Sequence, residues 1–124
     1  ATHIACLCDI NVKHGSHYII HDRSVREQAM DVEAQDGDAV IVTGFDTGMP
    51  PTVERIEECR GGISLPILLG SGLTCENARQ LLAHADGAIV GSYFKEGGNW
   101  KNAVDPQRVS SFMREVASLR RELD

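Results

Sequence analysis

Asp9, Asn11 and Lys13 stand at alternate positions of the segment HIACLCDINVKH, residues 3–14. Residues two apart share one face of a strand, so these three polar groups belong together. Cys6, Cys8, Ile10 and Val12 belong to the opposite, apolar face. A lysine held beside a carboxylate can bind an anion, shuttle a proton or condense with a carbonyl. The same pair can also be a structural ion pair in an interior. Lys13 with Asp9 is the expected acid–base pair, and Asn11 the expected ligand contact beside it. A second constellation has almost no side chains. Gly70-Ser71-Gly72 closes PILLGSG (66–72), and Gly91-Ser92 closes GAIVGS (87–92). Small residues leave backbone N–H groups uncovered, and such groups before a helix attract anions. One GSG is as well explained by a tight turn. Two such endings in successive units match the phosphate site of a (β/α)8 barrel. A third group, Thr43, Gly44 and Asp46, ends DAVIVTG (38–44) and opens the next loop. Thr43 and Gly44 are expected to touch a ligand. Asp46 is a third candidate catalytic residue, or else a cap for the local backbone.

These residues need elements that bring strand ends together. The runs DAVIVTG, PILLGSG and GAIVGS are short, apolar throughout and end in Gly with Thr or Ser. Continuous apolar runs of this length suit parallel strands covered on both faces. Residues 3–14 make a fourth candidate strand. A helix signal follows each run. Asp22 caps the first, Val25, Ala29 and Val32 form its inner face, and Gly37 ends it. Thr52 caps the second, with Val53 and Ile56 inward and Gly61-Gly62 as its stop. Thr74 caps the third, with Ala78, Leu81 and Leu82 inward. Asp105 caps the fourth, Pro106 takes its first position, and Val109, Phe112, Met113, Val116 and Leu123 form a stripe.

The order is β-α-β-α-β-α-β-α, one βα unit used four times in a single domain spanning residues 1–124. Crossover helices between parallel strands are the economical connection. Four such units are half of an eight-unit barrel, which takes about 250 residues. An open, doubly wound parallel sheet is the alternative. A half barrel exposes its inner face and two strand edges. It is therefore expected to pair with a second copy or with an N-terminal half.

The 124 residues carry a formal net charge of −6. An acidic chain without a basic cluster cannot neutralise nucleic-acid phosphates, so no nucleic-acid partner is expected. No apolar run reaches the roughly 18 residues of a membrane span. The chain opens without Met and shows no signal peptide, and a cytoplasmic location is expected, or an organellar one after removal of a transit peptide. The four cysteines, Cys6, Cys8, Cys59 and Cys75, lack the spacing of a zinc site. They read as reduced, mostly buried thiols, and neither a metal nor a cofactor is expected. His17 and His21 lie in the segment 15–22, which is either a lid or a solvated loop. Trp100, in the Gly/Asn-rich segment 95–105, either covers the site or docks on the surface.

The segments DINVKH, DAVIVTGFDTGMPP, LPILLGSGLTCENARQLL and ADGAIVGSYFKEGGNWKNAVDPQRVSSFM, in this order and spacing, resemble the BtpA family, which includes SgcQ-like proteins. The resemblance covers nearly the whole chain. It implies a barrel of the phosphate-binding type in which this chain supplies the C-terminal half, strands 5 to 8. By motif match it implies that Gly70, Ser71, Gly72, Gly91 and Ser92 hold the phosphate of a small molecule. Asp9, Lys13 and Asp46 would lie over the barrel mouth. Cyanobacterial members are associated with photosystem I biogenesis. Other members occur without photosynthesis, where an enzyme is suspected. Three functions thus stand side by side. The first is an enzyme on a phosphorylated substrate, whose reaction could be isomerisation, a lyase step, or glycosyl hydrolysis or transfer. The others are a non-catalytic assembly factor and a self-associating half barrel.

Overall fold

A computed structural model describes residues 3–11, 23–44 and 48–124. The strands are β1 (Leu7–Ile10), β2 (Ala39–Val42), β3 (Ile67–Leu69) and β4 (Gly87–Ala88), and the long helices are α1 (Val25–Ala34), α2 (Val53–Arg60), α3 (Cys75–Leu82) and α4 (Pro106–Leu123). Two 3-10 turns, Ser92–Phe94 and Glu96–Gly98, lie between β4 and α4. The sheet is parallel and its strands follow one another in chain order. A doubly wound sheet reverses its order and carries helices on both faces. Here the order never reverses, and the winding is that of four successive units of a (β/α)8 barrel.

The register sorts the strand residues into two faces. Cys8, Ile10, Val40, Val42, Ile67, Leu69 and Ala88 are in line on one. This is the helix side. Ile10, Val40, Val42, Ile67 and Leu69 form one core with Val25 and Ala29 of α1, Ile56 and Cys59 of α2, Ala78 and Leu81 of α3, and Phe112 of α4. Burial of a side chain of this size contributes roughly 1.5–3 kcal/mol. The other face carries Leu7, Asp9, Ala39, Ile41 and Leu68. No helix among the described residues lies on it; Leu7 is 50% exposed, whereas Ala39 and Ile41 are buried. Beyond β4, Ile89 is 49% exposed. In a closed barrel this face is the interior.

Both ends of α1 differ from the sequence expectation. The N-cap of α1 is Ser24, whose hydroxyl accepts from the N–H of Glu27 while the Glu27 carboxylate accepts from the N–H of Ser24. This reciprocal box satisfies two terminal donors at once; Asp22 lies outside the described residues. The left-handed residue after α1 is Asp36, with φ 60°, rather than Gly37. Thr52 caps α2 by accepting from Arg55 N–H, and Asp105 caps α4 by accepting from Gln107 N–H, both as expected. The α4 stripe needs correction. Phe112 and Leu119 are buried, whereas Met113 and Leu123 are exposed, because no neighbouring unit covers the far side of α4. The thiols need correction too: Cys59 is buried, Cys8 and Cys75 are half-buried, and Cys6 is exposed.

Candidate functional site

The loops that leave β3 and β4 meet at a cavity of about 360 Å3. Its walls are Ser71 to Thr74 from the first loop, Val90 to Tyr93 from the second, and Gly48, Gly98 and Arg108. Four of the five expected phosphate ligands, Ser71, Gly72, Gly91 and Ser92, therefore line one space. Gly70 lies just beneath, at the end of β3, where its N–H donates to Val42 O.

The two loops are held by different means. Asn77, in the first turn of α3, accepts from Thr74 N–H at 2.8 Å and donates to Gly72 O at 2.9 Å. Its amide thus fixes both ends of the curve after Gly72. Gly72 has φ +75°, and an added Cβ would stand 2.2 Å from the nitrogen of Pro50. The glycine is required there by the crossing of the β2–α2 loop, independently of any ligand. Ser71 Oγ donates to Met49 O in the same crossing. Gly91 is the opposite case, because an added Cβ would meet nothing within 4 Å. Its open side is available to a bound molecule.

The second loop is anchored by aromatic packing. Tyr93 and Phe94 rest on Phe112 of α4, with ring centroids 5.9 and 5.3 Å away. Arg108 lies one turn before Phe112 on the same helix face. Its Nε donates to Tyr93 O at 2.5 Å, and its guanidinium carbon stands 4.5 Å from the Tyr93 ring centroid. A hydrogen bond with Cys75 and partial burial push the Tyr93 phenol upward, so it is neutral at physiological pH. Glu76, at the edge of this region, is held low by the Thr74 hydroxyl, by its own N–H and by the charge of Arg108.

The remaining expected residues are placed as follows. Asp9 is exposed on the inner face. Asn11 has φ 50°, and its N–H donates to Gln28 Oε1 at 2.9 Å, tying the end of β1 to α1. Neither lines the cavity. Gly44 is buried against Met49 and Pro50. Thr43 is only 8% exposed, and its hydroxyl has no hydrogen-bond partner among the described residues. A buried hydroxyl left so is costly. It stands on the inner face, where a Cβ on Gly70 would meet its methyl at 2.5 Å. Lys13 and Asp46 lie outside the described residues, as do His17 and His21. Trp100 is 68% exposed and does not line the cavity. Among the described residues, no three His, Cys, Asp or Glu side chains gather as a metal-binding group. No helix among them is long and apolar enough to cross a membrane.

Sequence reading missed Arg108, Asn77 and Tyr93. Asn77 carried a signal, since it lies three residues after the Thr74 cap, where a side chain can reach back. Arg108 carried one also. It is a cation in the first turn of a helix, where the macrodipole disfavours positive charge.

A thiamine phosphate pyrophosphorylase from Pyrococcus furiosus, itself a (β/α)8 barrel, superposes with a TM-score of 0.62 at 12% identity, covering 93% of this chain and 60% of that one. At that identity the likeness is one of fold. An uncharacterized mitochondrial protein of Caenorhabditis elegans is 42% identical over 121 residues, which are 98% of this chain and 43% of that protein. The photosystem I biogenesis protein BtpA of Synechocystis is 34% identical over 116 residues, 92% of this chain and 40% of that protein. The chain thus spans less than half the length of the curated relatives it matches. The sequence profile of the BtpA family matches residues 1–118, and on that match the chain belongs to the BtpA family.

Proposed function

We propose that this chain supplies the phosphate-binding half of a (β/α)8-barrel site that takes a phosphorylated small molecule. The observation that carries the reading is the convergence of the β3 and β4 loops on one cavity holding Ser71, Gly72, Gly91 and Ser92. The backbone N–H groups of Gly72, Gly91 and Ser92, with the Ser92 hydroxyl, are the donors. The Thr43 hydroxyl at the neighbouring strand end, without a partner among the described residues, supports a ligand that continues over the barrel mouth. Binding energy from the phosphate acts away from the reacting centre, where it holds the rest of the ligand in place. In an enzyme, Lys13 with Asp9 moves the proton, with Asn11 and Gly44 beside the ligand, and Asp46 is the third candidate. The location is the cytoplasm, or an organelle as in the name of the worm relative.

The N-terminal half of the barrel completes the site. The exposure of Leu7 and Ile89 on the inner face, and relatives more than twice as long, support this reading. A second copy of this chain is the other way to cover the same face. The name of the Synechocystis relative favours a second function, that of a non-catalytic factor in photosystem I biogenesis.

Thermal unfolding in millimolar inorganic phosphate and glycerol phosphate tests the anion site. A ligand present at 100 times its Kd stabilises by about 2.7 kcal/mol, which raises the midpoint by several degrees. No shift with either ligand rejects the site. Lys13→Ala in the complete barrel separates the two functions, since an enzyme loses turnover while folded and an assembly factor keeps its partner.

A further inference from the structure

We infer that Arg108 is the charged anchor of the anion site and that its terminal nitrogens take two oxygens of the ligand's phosphate. This rests on the anion-site reading above and names the group that would give it charge. Arg108 is the only ionised side chain among the described residues lining the cavity. Its Nε is occupied by Tyr93 O, and its guanidinium carbon stands over the ring of Tyr93. Two contacts with Tyr93 thus hold the group, which leaves the terminal nitrogens to approach a ligand as a fork. Nη2 borders Gly98, where an added Cβ would stand 3.6 Å away, so the wall beside the fork carries no side chain.

The placement of Arg108 on α4 strengthens the case. It stands third after the Asp105 cap, in the first turn, where its charge opposes the helix dipole. A neutral side chain could pack on Tyr93 without that opposition. Two carboxylates lie nearby: Glu76 is exposed and engaged with the Thr74 hydroxyl, and Asp105 accepts from the N–H groups of Gln107 and Arg108, so neither is committed to the fork. One planar guanidinium matches two oxygens of one phosphate group. The backbone of Gly72, Gly91 and Ser92 offers donors from the other side. The cavity of about 360 Å3 exceeds the needs of a lone phosphate, when a water takes only about 30 Å3. It has space for the carbon side of a monoester.

The test is a titration of the isotope-labelled chain with inorganic phosphate, followed by NMR. The amide signals of Gly72, Gly91 and Ser92 and the guanidinium signals of Arg108 should move together with one Kd. Arg108→Gln, with a dispersed native spectrum, should weaken binding roughly tenfold to a hundredfold, as loss of a hydrogen bond to a charged group does. Arg108→Lys should fall between. An unchanged Kd in Arg108→Gln overturns the role of Arg108 while the anion site stands. Backbone signals that move while the guanidinium signals stay fixed do the same, and this readout needs no variant if Arg108→Gln fails to fold. If no signal moves in the wild-type chain, the anion site fails and Arg108 with it.

Discussion

Asp38 and Asp86 make the same pair of bonds one strand pair apart. Asp38 N–H donates to Cys6 O, and its carboxylate accepts from Cys6 N–H at 2.7 Å. Asp86 N–H donates to Ile67 O, and its carboxylate accepts from Ile67 N–H at 2.8 Å. Each aspartate thus ties the start of its own strand to the start of the strand before it. Asp38 also meets His3, and Asp86 meets Arg60 at 2.8 Å.

Both carboxyls are held below the ordinary aspartate range. For Asp38 the Cys6 N–H and then His3 lower it. For Asp86 burial pushes upward, and the Ile67 N–H and Arg60 together outweigh it. A depressed folded pKa means that the stabilisation is present above the unfolded value, about 3.9, and is lost as pH falls through the folded value. The urea midpoint should therefore drop below pH 4. Asp86→Asn should cost roughly 1 kcal/mol at pH 7, since a charged hydrogen bond here is cut back by solvent screening. That cost should shrink toward pH 3. A pH-independent cost would show that the charge of Asp86 contributes nothing.

Gly72 and Gly91 line the same cavity and should respond oppositely to alanine. Gly72→Ala places a Cβ on the backbone of Pro50 at a positive φ. Strain and overpacking together should cost roughly 2–4 kcal/mol. Gly91→Ala meets open space, so stability should stay within about 0.5 kcal/mol. Phosphate affinity should nevertheless fall, because the methyl group stands on the side open to ligand. Chemical denaturation beside a phosphate titration measures both. Equal destabilisation by the two variants would contradict the account of the loop crossing.

The strands and helices were legible because their patterns are local. Val40 to Val42 and Ile67 to Leu69 are apolar throughout, and Asp105-Pro106 is a cap that acts within a few residues. The sheet order followed from the four repeated βα units. What stayed hidden depends on distant neighbours. Gly72 read as an opening for a ligand, whereas Pro50, in another loop, requires it. The Val109–Leu123 residues read as one apolar stripe, yet Met113 and Leu123 are exposed, on the side of α4 where no further unit stands among the described residues. Arg108 and Tyr93 meet only when the 3-10 turn folds back on α4, and no spacing rule covers that contact.

The cysteines should divide by rate. Burial pushes the Cys59 thiol up to about 11, and its side chain is sealed between α2 and the sheet. Thiolate is the reactive form, so Cys59 should resist alkylation at pH 8 until the chain unfolds. Cys6 is exposed and should react fastest. Mass spectrometry of tryptic peptides after timed iodoacetamide treatment reads each site. Labelling of Cys59 as rapid as that of Cys6 in the absence of denaturant would mean that the α2 layer opens readily. Cys59 labelling would then serve poorly as a clock for global unfolding.

The inner face bears on the state of this chain by itself. Leu7 is half-exposed there and in register with Ala39, and Ile89 is exposed at the end of the β4 strand. Sheet edges on both sides offer unpaired backbone groups. Exposed apolar side chains beside two such edges favour association with a matching surface. Two copies related by a two-fold axis along the barrel would pair β4 of each with β1 of the other, an isologous closure. Sedimentation should accordingly show a species heavier than the 13.5 kDa chain, with the weight rising with concentration. Leu7→Glu should shift it toward monomer while changing the unfolding midpoint little, because Leu7 lies outside the helix-side core. Addition of the N-terminal half of a relative should also dissolve the self-association, as it covers the same face. A monodisperse 13.5 kDa species at tens of micromolar would show that the exposed face is tolerated in water without a partner.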